Sequence, residues 1–471
     1  MNRIFSEPIA TWTNSLLFIG ISLVVFIIGI GSAIAPIYLA IFSMMPLFVI
    51  LACWQFRIAV LVMLLFASGL IPNSFTPAIP FLGGTIRTED MFLGFLIVIG
   101  TIRLLAQTNK IENHALWYPF YFFIFLVIFS LLIAKGHHNK PRWMMFEFRL
   151  QLYWFYAPLL VMCIKEEKHL NAALNFVIFL STILAIAVIF QSLTGIRILN
   201  HGMLSPLVTV TDINRDVNRS TFGGFQAFVV FTFILTLARL SRHEMSPLLA
   251  FPVLLLIALG LIVSFGRGVW AVSFVITFIA SIWLGKNSFI KIWTVLLTVG
   301  TVIILTSVLL KPQLADAVFS RLMSVSHELE EGESWEWRMM EQEWALRTIQ
   351  KHPISGIGLG GEYSPLRDRT KDPEQMIMTH NSYLYIALKF GLFGLLFPLW
   401  LCLAVLRKAK QLNTTLSISL ACAFLNPVLI GYTQMEWVSI YGILSMATMV
   451  GLLVTHDRFQ RNCRSSLCLE K

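Results

Sequence analysis

The residues best suited to chemistry in this chain are one histidine and several arginines. His380 lies in the run 379–384, THNSYL, at the start of an apolar helix and after a long polar stretch. Imidazole titrates near neutral pH and can act as a general base without unusual burial. Arginine adds a fixed positive charge and paired donors for phosphate oxygens. Together they fit a reaction in which a hydroxyl loses a proton while a diphosphate leaves.

Several arginines lie where the usual distribution of charge in membrane proteins does not explain them. Arg267 is the clearest, because SFGRG at 264–268 is a turn between two apolar runs and has no acidic residue nearby in sequence. Taken alone, Arg267 fits a ligand contact and an interfacial arginine that snorkels to headgroups equally well. The others precede two further predicted helices on the same side: Arg142, Arg149, Arg215 and Arg219.

Metal and nucleotide chemistry fit the sequence poorly. The pair His137-His138 has no carboxylate beside it, and the acidic residues between 368 and 374 are spaced like an exposed loop. The glycine-rich run 356–361, GIGLGG, lacks the preceding strand and the following Lys-Ser or Lys-Thr of a phosphate loop. We therefore expect no metal and no cofactor, and we predict a flexible bend at the glycine-rich run.

The helix that begins near His380 is predicted to present small residues beneath it. A step of about 100° per residue puts Ala387, Gly391 and Gly394 close to the direction of His380. This spacing predicts a groove that runs down from the histidine, or close packing against another element. Lys389 points to the opposite face of the helix and is not assigned to the site.

The polar stretch 311–380 is predicted to contain a helix of its own, which a serine caps and a proline ends. Trp337, Met340 and Trp344 recur at three and four residues and form a narrow apolar stripe. That stripe would hold Arg338 in a fixed place, on the membrane or on other helices, while the charged remainder of the helix faces water.

The composition predicts that membrane spans position these residues. Hydrophobic residues make up 57% of the chain and charged residues 13%, whereas soluble domains average roughly 45–50% and 25%. We predict an all-α polytopic membrane protein that forms one integral membrane domain, residues 1–471, with about fourteen transmembrane helices. They are placed near 14–32, 35–53, 57–71, 91–107, 117–135, 152–164, 170–191, 223–238, 247–263, 268–285, 290–310, 381–406, 414–433 and 437–455.

Basic residues give the predicted orientation. The net charge of +10 fits nucleic acid, anionic headgroups or a phosphate-bearing substrate, so the positions of the basic residues have to decide. Short connections with Lys and Arg, such as 239–242, 286–291 and 407–410, fall on one side of alternating helices. The positive-inside rule then makes both termini cytoplasmic and places the large loop 311–380, between helices 11 and 12, in the periplasm. Membrane lipids are expected partners, and nucleic acid is not.

Five motifs of this sequence occur together in one known family: THN at 379–381 with Gly391 and Gly394, Arg338, WAL at 344–346, HPISGIGLG at 352–360, and SFGRG at 264–268. Together they resemble the signature of the bacterial O-antigen ligases and the related O-antigen polymerases. In the last motif the family usually has Ser-Arg-Gly. The resemblance covers roughly residues 215–410, which we expect to form the catalytic region together with the periplasmic loop 311–380.

The resemblance implies a metal-independent glycosyltransferase of the bacterial inner membrane, multi-pass, with its active site facing the periplasm. The implied donor is a glycan on polyprenyl (undecaprenyl) diphosphate, used in lipopolysaccharide or surface polysaccharide biosynthesis, and the implied acceptor is a glycan or a lipid. By position, His380 activates the acceptor hydroxyl, Arg219 and Arg267 hold the diphosphate, and Arg338 is a third contact. Further contacts are expected at Arg149, Arg215 and Asn381.

The motifs leave several functions open. Ligases move a finished glycan to lipid A core, polymerases extend a glycan on its lipid carrier, and some relatives glycosylate proteins. A flippase or transporter of lipid-linked glycan could also hold a diphosphate with arginines and perform no chemistry. The sequence shows no inverted repeat and no paired Gly- or Pro-broken helices at matching positions, which disfavours the transporter without eliminating it.

Overall fold

The computed structural model describes residues 48–71, 78–81, 84–106, 114–199, 204–208, 213–310, 312–323, 333–364 and 376–469. The first predicted span, 14–32, and most of the second, 35–53, lie outside these ranges, as do the acidic residues between 368 and 374. Residues 48–54, at the end of the second predicted span, are helical.

Helices dominate the described ranges, as the composition predicts. In chain order the sixteen are α1 (Phe56–Ala67), α2 (Thr88–Ala106), α3 (Trp117–Gly136), α4 (Pro141–Gln151), α5 (Tyr156–Cys163), α6 (Glu167–Thr194), α7 (Gln226–Ser241), α8 (Pro247–Val263), α9 (Arg267–Trp283), α10 (Lys286–Leu310), α11 (Pro312–Met323), α12 (Glu333–Lys351), α13 (Ser382–Phe390), α14 (Leu396–Leu412), α15 (Thr415–Ile430) and α16 (Ile440–Leu469). Short 3-10 turns follow α4 and precede α7, α14 and α16.

Two small hairpins, which the all-α prediction does not contain, join helices at their ends. β1 (Ala78–Phe81) pairs antiparallel with β2 (Gly84–Arg87), and β3 (Leu204–Val208) pairs antiparallel with β4 (Ile213–Ser220). The register of the second hairpin shifts between Pro206 and Leu207. This hairpin matters for the site, because its last strand carries Arg215 and Arg219.

Five helices in the described ranges are long and apolar enough to cross a membrane: Trp117–Gly136, Glu167–Thr194, Lys286–Leu309, Leu392–Leu412 and Ile440–Cys463. Other apolar helices, among them α7, α8, α9 and α15, are shorter than 18 residues. A polytopic membrane protein accounts for these spans, since each could cover roughly 30 Å of hydrocarbon. The total of about fourteen spans stays a prediction.

Burial separates a central group of helices from a peripheral one. The most hydrophobic stretch of α16 is 94% buried inside the protein, whereas that of α10 is only 17% buried. α7 is buried on almost every side and packs against α15 and α6. A helix that is apolar all round belongs in a core or in lipid. α7 and α16 therefore form the centre, and α10 faces the surroundings of the bundle.

The predicted helix 381–406 is broken in two. α13 ends at Phe390, Gly391 adopts a left-handed φ of 73°, and α14 begins only at Leu396 after a 3-10 turn. A Cβ on Gly391 would collide with the carbonyl oxygen of Ile354, so only glycine fits there. The space beneath the histidine is filled by packed backbone. The predicted groove is wrong, and the alternative of close packing is correct.

The glycine-rich run 356–361, named the glycine strap from here on, is tightly packed. A Cβ on Gly358 would lie 2.5 Å from the Ala134 nitrogen of α3, and one on Gly360 would lie 2.5 Å from the Met144 nitrogen of α4. Asn139 donates to the strap carbonyls of Ile357 and Leu359, at 2.9 Å each. The predicted flexible bend is therefore wrong, because these glycines allow the backbone to approach two helices closely.

Candidate active site

His380 is held at the entry to α13. Its neighbour Asn381 caps that helix, since the Asn381 side-chain oxygen accepts from the backbone N–H groups of Tyr383 at 3.0 Å and Leu384 at 3.1 Å. Thr379 in turn accepts from the Asn381 backbone N–H at 3.2 Å. Asn381 is buried, so its observed task is to fix the helix start beside the histidine, and its expected contact with substrate stays a prediction.

Glu341 of α12 binds His380 twice. Its Oε2 lies 3.0 Å from the His380 Nδ1 and accepts from the His380 backbone N–H at 3.2 Å. The Glu341 side chain is 4% exposed, whereas the imidazole is 38% exposed. A carboxylate only accepts, so it favours the tautomer with the proton on Nδ1 and leaves Nε2 as the acceptor. A buried carboxylate thus orients a histidine that is open to substrate, an arrangement suited to a general base.

Tyr363 supports the same carboxylate from the other side. Its hydroxyl lies 3.1 Å from the Glu341 Oε1 and 3.0 Å from the Met378 carbonyl oxygen, and its backbone N–H donates to Met376. Burial, and then the neighbouring Glu341 charge, raises the pKa of Tyr363 well above its usual value. The phenol therefore stays protonated and remains a donor, which keeps Glu341 in place behind the histidine.

Glu341 is not among the candidates predicted from the sequence, because the charged side chains of α12 were expected to face water. The helix itself is confirmed, but its buried residues are Glu341, Ala345 and Ile349, spaced four apart. Trp337 and Trp344 are half-buried and contact each other, with ring centroids 5.6 Å apart. The buried face of α12 is therefore the one that carries Glu341, and the prediction that the tryptophan stripe forms that face is wrong. The four-residue spacing that includes Glu341 is the signal that could have found it.

Arginines converge on the turn before α9. The Arg219 Nε donates to the Ser264 carbonyl oxygen at 3.2 Å, and the Arg321 Nε donates to the Phe265 carbonyl oxygen at 3.5 Å. Arg267 follows two residues later as the first residue of α9. Hairpin strand β4, helix α11 and the α8–α9 turn thus meet at one place. Arg321 was not singled out by the sequence, since it lies in an amphipathic helix with an ordinary pattern of charge.

The charge of Arg338 acts on this group of three arginines. Burial, followed by the charge of Arg338, lowers the pKa of Arg219. Burial, followed by the charges of Arg267 and Arg219, lowers the pKa of Arg321 to about 10. All four side chains still carry a positive charge at neutral pH. This arginine cluster, Arg219, Arg267, Arg321 and Arg338, therefore has the electrostatics of an anion site.

The cluster and the histidine meet on α12. Arg338 and Glu341 are three residues apart on this helix, so they lie on one face within a turn of each other. Glu341 binds His380, and Arg338 acts on Arg219 through its charge. One helix therefore carries a member of the arginine cluster and the residue that orients His380.

Arg149 and Arg215, two of the further contacts expected from the sequence, differ in how much of each the structure describes. Arg149 lies buried, with its Nη1 3.3 Å from an Asp90 carboxylate oxygen and its guanidinium 5.0 Å from the Phe146 ring centroid. The same Asp90 accepts from the Tyr153 hydroxyl at 2.8 Å. These contacts give Arg149 a structural role. Arg215 belongs to β4, but its side chain lies outside the described residues, so its contact with substrate stays a prediction.

Lys389 stabilises the packing of the elements that surround the site. Its Nζ lies 3.0 Å from the Glu147 Oε1, with both side chains fully buried, and donates to the Gly361 carbonyl oxygen at 2.6 Å. Glu147 also accepts from the Gly360 backbone N–H. The pair therefore joins α4, the glycine strap and α13, whose first turn follows His380. These contacts give Lys389 a structural role, and its absence from the chemistry stays a prediction.

Among the residues that the structure describes, no three His, Cys, Asp or Glu side chains come together in a way that could hold a metal ion. The chemically active groups that do come together are an oriented imidazole and a set of guanidinium groups. Such a pair of features can remove a proton at one point and stabilise phosphate charge at another.

Comparison with known families identifies one domain in the chain. Residues 252–399 match the family model described as O-antigen ligase. The chain carries an O-antigen ligase domain. The match confirms the resemblance found in the sequence, and it associates the chain with membrane enzymes of the O-antigen ligase and polymerase type in surface polysaccharide biosynthesis, whose substrates are lipid-linked glycans. No curated protein matches the chain.

The O-antigen ligase domain contains most of the site. Arg267, Arg321, Arg338, Glu341 and His380 all lie within the matched residues. Three contributors precede the match: Arg219 on the hairpin, and the helices α3 and α4 that receive the glycine strap. The ligase domain therefore shares its site with the part of the chain before residue 252.

Proposed function

We propose that this protein is a metal-independent membrane glycosyltransferase that moves a glycan from a polyprenyl diphosphate donor to an acceptor hydroxyl. The observation that carries the proposal is that α12 contributes to both parts of the site. Arg338 belongs to the arginine cluster, and Glu341, three residues later, orients His380. A glycan on a lipid diphosphate offers the two groups that such a site needs, an anion to bind and an anomeric carbon to attack.

The reaction follows from these positions. The His380 Nε2 takes the proton of the acceptor hydroxyl, while Glu341 stabilises the imidazolium that forms. The acceptor oxygen then bonds to the anomeric carbon, and the bond from that carbon to the diphosphate oxygen breaks. Polyprenyl diphosphate leaves with the electron pair, and the imidazolium returns its proton to water. The products are the glycosylated acceptor and the lipid diphosphate.

The arginine cluster supplies the charge that a metal ion often supplies in phosphate chemistry. Guanidinium groups bind phosphate oxygens with two parallel donors and strengthen as negative charge develops on the leaving group. Four such groups on different elements match a diphosphate better than a single carboxylate or sulfate. We therefore assign the diphosphate to Arg219, Arg267, Arg321 and Arg338.

The acceptor distinguishes the functions within the family. We propose a ligase that works in lipopolysaccharide or surface polysaccharide biosynthesis. A polymerase of the same family is the alternative, and it differs only in taking a lipid-linked glycan as acceptor. A purified protein given labelled donor should glycosylate lipid A core and leave the lipid-linked acceptor unextended. Extension of the lipid-linked acceptor alone would assign the polymerase.

The decisive experiment substitutes His380, the proposed base, and Glu341, which orients it, in separate variants. His380→Ala should reduce glycan transfer by about 10²- to 10⁴-fold while donor lipid still binds, because binding depends on the arginines. Glu341→Gln should lower kcat by roughly 10²-fold with KM for the donor unchanged, since it misplaces the imidazole without touching the diphosphate. Both assays include a chelator.

Three results would contradict the proposal. Transfer by His380→Ala at nearly the wild-type rate would exclude the base. Dependence on an added metal would exclude the arginine-only mechanism. Movement of labelled lipid across vesicles by the wild-type protein, without any glycosidic bond, would assign a flippase instead.

The site is proposed to face the periplasm, in the inner membrane of a bacterium. The support is the distribution of basic residues at the other helix ends. An impermeant thiol reagent applied to intact spheroplasts should label Arg369→Cys and leave Lys408→Cys unlabelled, in a background without other reactive cysteines. Labelling of Lys408→Cys alone would reverse the orientation.

A further inference from the structure

An open cavity lies at the far end of α7 from the arginine cluster. It has a volume of about 380 Å³ and lies between α7, α8 and α10. α7 begins seven residues after Arg219 and ends at Ser241, beside this cavity, so its 16 residues separate the two places by about 24 Å. α10 runs in the opposite direction to α7, with Lys291 near its start by the cavity and Arg321 in the helix that follows its end.

The walls of the cavity are apolar and open to the surroundings of the bundle. Leu237, Leu240, Phe251 and Val295 line its interior. α10 is the least buried of the candidate spans, and its Leu297 is 73% exposed. Among wall residues on α10, the hydroxyls of Thr294 and Thr298 both donate to backbone carbonyls one turn earlier. They therefore present methyl groups, and the wall suits a hydrocarbon chain.

One end of the cavity carries a positive charge with neutral partners. The Lys291 Nζ donates to the Ser241 carbonyl oxygen at 3.2 Å and to the His243 Nε2 at 2.7 Å. An ammonium group only donates, so His243 accepts through Nε2 and is neutral in this contact. Neither partner offsets the lysine charge. His243 has a left-handed φ of 60° and closes a tight turn after α7, which fixes the imidazole at the cavity mouth.

The surroundings of Lys291 are also basic. Arg242 follows α7 and donates to the Thr415 hydroxyl at 3.2 Å, and Arg239 lies in the last turn of α7. Glu244 accepts from the same Thr415 hydroxyl and offsets one of these charges, so the surroundings keep a net positive charge. Basic pockets between spans at the end of a bundle that is rich in Lys and Arg bind the anionic headgroups of the adjoining leaflet. A lysine at the mouth and an apolar wall beneath it match the two parts of a phospholipid.

We propose that this cavity binds one acyl chain of an anionic phospholipid whose phosphate contacts Lys291. A headgroup with net negative charge is favoured over a zwitterionic one, because the ammonium of the latter meets the same basic surroundings. The site is independent of the glycosyl transfer, since it shares no residue with the arginine cluster or with His380.

The test uses the full-length protein in detergent, with native mass spectrometry as the readout. Phosphatidylglycerol and phosphatidylcholine with identical acyl chains are titrated against the wild type, Lys291→Glu and Lys286→Glu. The wild type should bind phosphatidylglycerol about tenfold more tightly, and Lys291→Glu should lose about tenfold in affinity, as expected for one charge-assisted contact. Lys286→Glu is the matched control, an exposed lysine at the start of the same helix, and should bind like the wild type.

A second variant tests the hydrocarbon wall without touching the charge. Thr298→Phe narrows the cavity and should weaken both lipids, while its thermal unfolding stays that of the wild type. Equal affinity of the wild type for the two lipids would overturn the proposal, and so would unchanged binding in Lys291→Glu. Displacement of bound phosphatidylglycerol by glycerol phosphate at equal concentration would reduce the site to a phosphate contact and also overturn it.

Discussion

Two groups of charged side chains in this protein differ in the signs of their charges. Behind the active site, Lys389 and Glu147 carry opposite charges, lie 3.0 Å apart and are fully buried. In the arginine cluster the charges are alike, and neighbouring guanidinium groups contribute to the lowered pKa values of Arg219 and Arg321. The first group is a pair of opposite charges within the fold, whereas the second is the group of like charges that we propose to bind a diphosphate.

The difference separates architecture from function. A buried pair is strongly destabilised when one partner is removed, because the other charge remains without compensation. A cluster of like charges is destabilised by its own repulsion and is stabilised by whatever anion it binds. A basic side chain is therefore expected to stabilise the fold in the buried pair and to contribute to ligand binding in the arginine cluster. Two predictions test this comparison, and a third tests a buried carboxyl that belongs to neither group.

The largest expected effect is on folding and comes from the balanced pair. Lys389→Ala leaves the Glu147 carboxylate buried and alone, which costs about 3–5 kcal/mol of unfolding free energy. Thermal unfolding of the detergent-purified protein should therefore begin at a clearly lower temperature. Lys351→Ala, at the exposed end of α12, is the control and should unfold like the wild type. Identical unfolding of the two variants would remove the structural role given to Lys389.

A smaller effect, confined to binding, is expected in the arginine cluster. Arg267→Lys keeps the charge but loses the planar pair of donors, so donor-lipid affinity should fall about tenfold to hundredfold, or roughly 1.5–3 kcal/mol. Arg267→Ala should bind at least as weakly.

The matched control for this cluster is Arg347→Ala. Arg347 is exposed on α12, where it pairs with Glu343 at 2.5 Å, and it should leave donor affinity unchanged. If both Arg267 variants bind donor as tightly as this control does, Arg267 only snorkels to headgroups, and Arg219, Arg321 and Arg338 carry the diphosphate.

The smallest effect concerns a carboxyl in the turn before α16. Burial raises the pKa of Glu436 to about 7, so the folded state holds this proton more tightly than the unfolded chain does. The associated stability is present below the unfolded pKa and is lost as the pH rises through about 7. Glu436→Gln should therefore raise the unfolding temperature at pH 8 and raise it much less at pH 5. An equal rise at both pH values would show that the charge of Glu436 is irrelevant.

Sequence patterns predicted those parts of the site that depend on local signals. Helix α12 follows from its capping and proline boundaries, and the position of His380 at a helix start follows from the apolar run after it. Arg267 stood out because its turn has no acidic neighbour. Each of these features depends on residues within a few positions of one another.

Features that depend on contacts between distant segments could not be predicted in this way. Glu341 meets His380 across 39 residues, and the Glu147–Lys389 pair spans a still longer separation. The glycine strap illustrates the same limit, because a run of glycines is compatible with mobility and with close packing alike. Only the positions of α3 and α4 decide between them, and these come from outside the resemblance.

The contact between the glycine strap and the early helices bears on how this protein could be recombined with its relatives. A chimera joined at residue 252 would take Lys389 and the strap from one parent, and Glu147, Asn139 and Arg219 from the other. In such a chimera, His380 would lack the matching residues of α3 and α4 that hold α13 in place. The exchangeable module is therefore larger than the O-antigen ligase domain: it begins no later than α3, and activity should transfer between parents only when the segment from α3 to α14 moves as one piece.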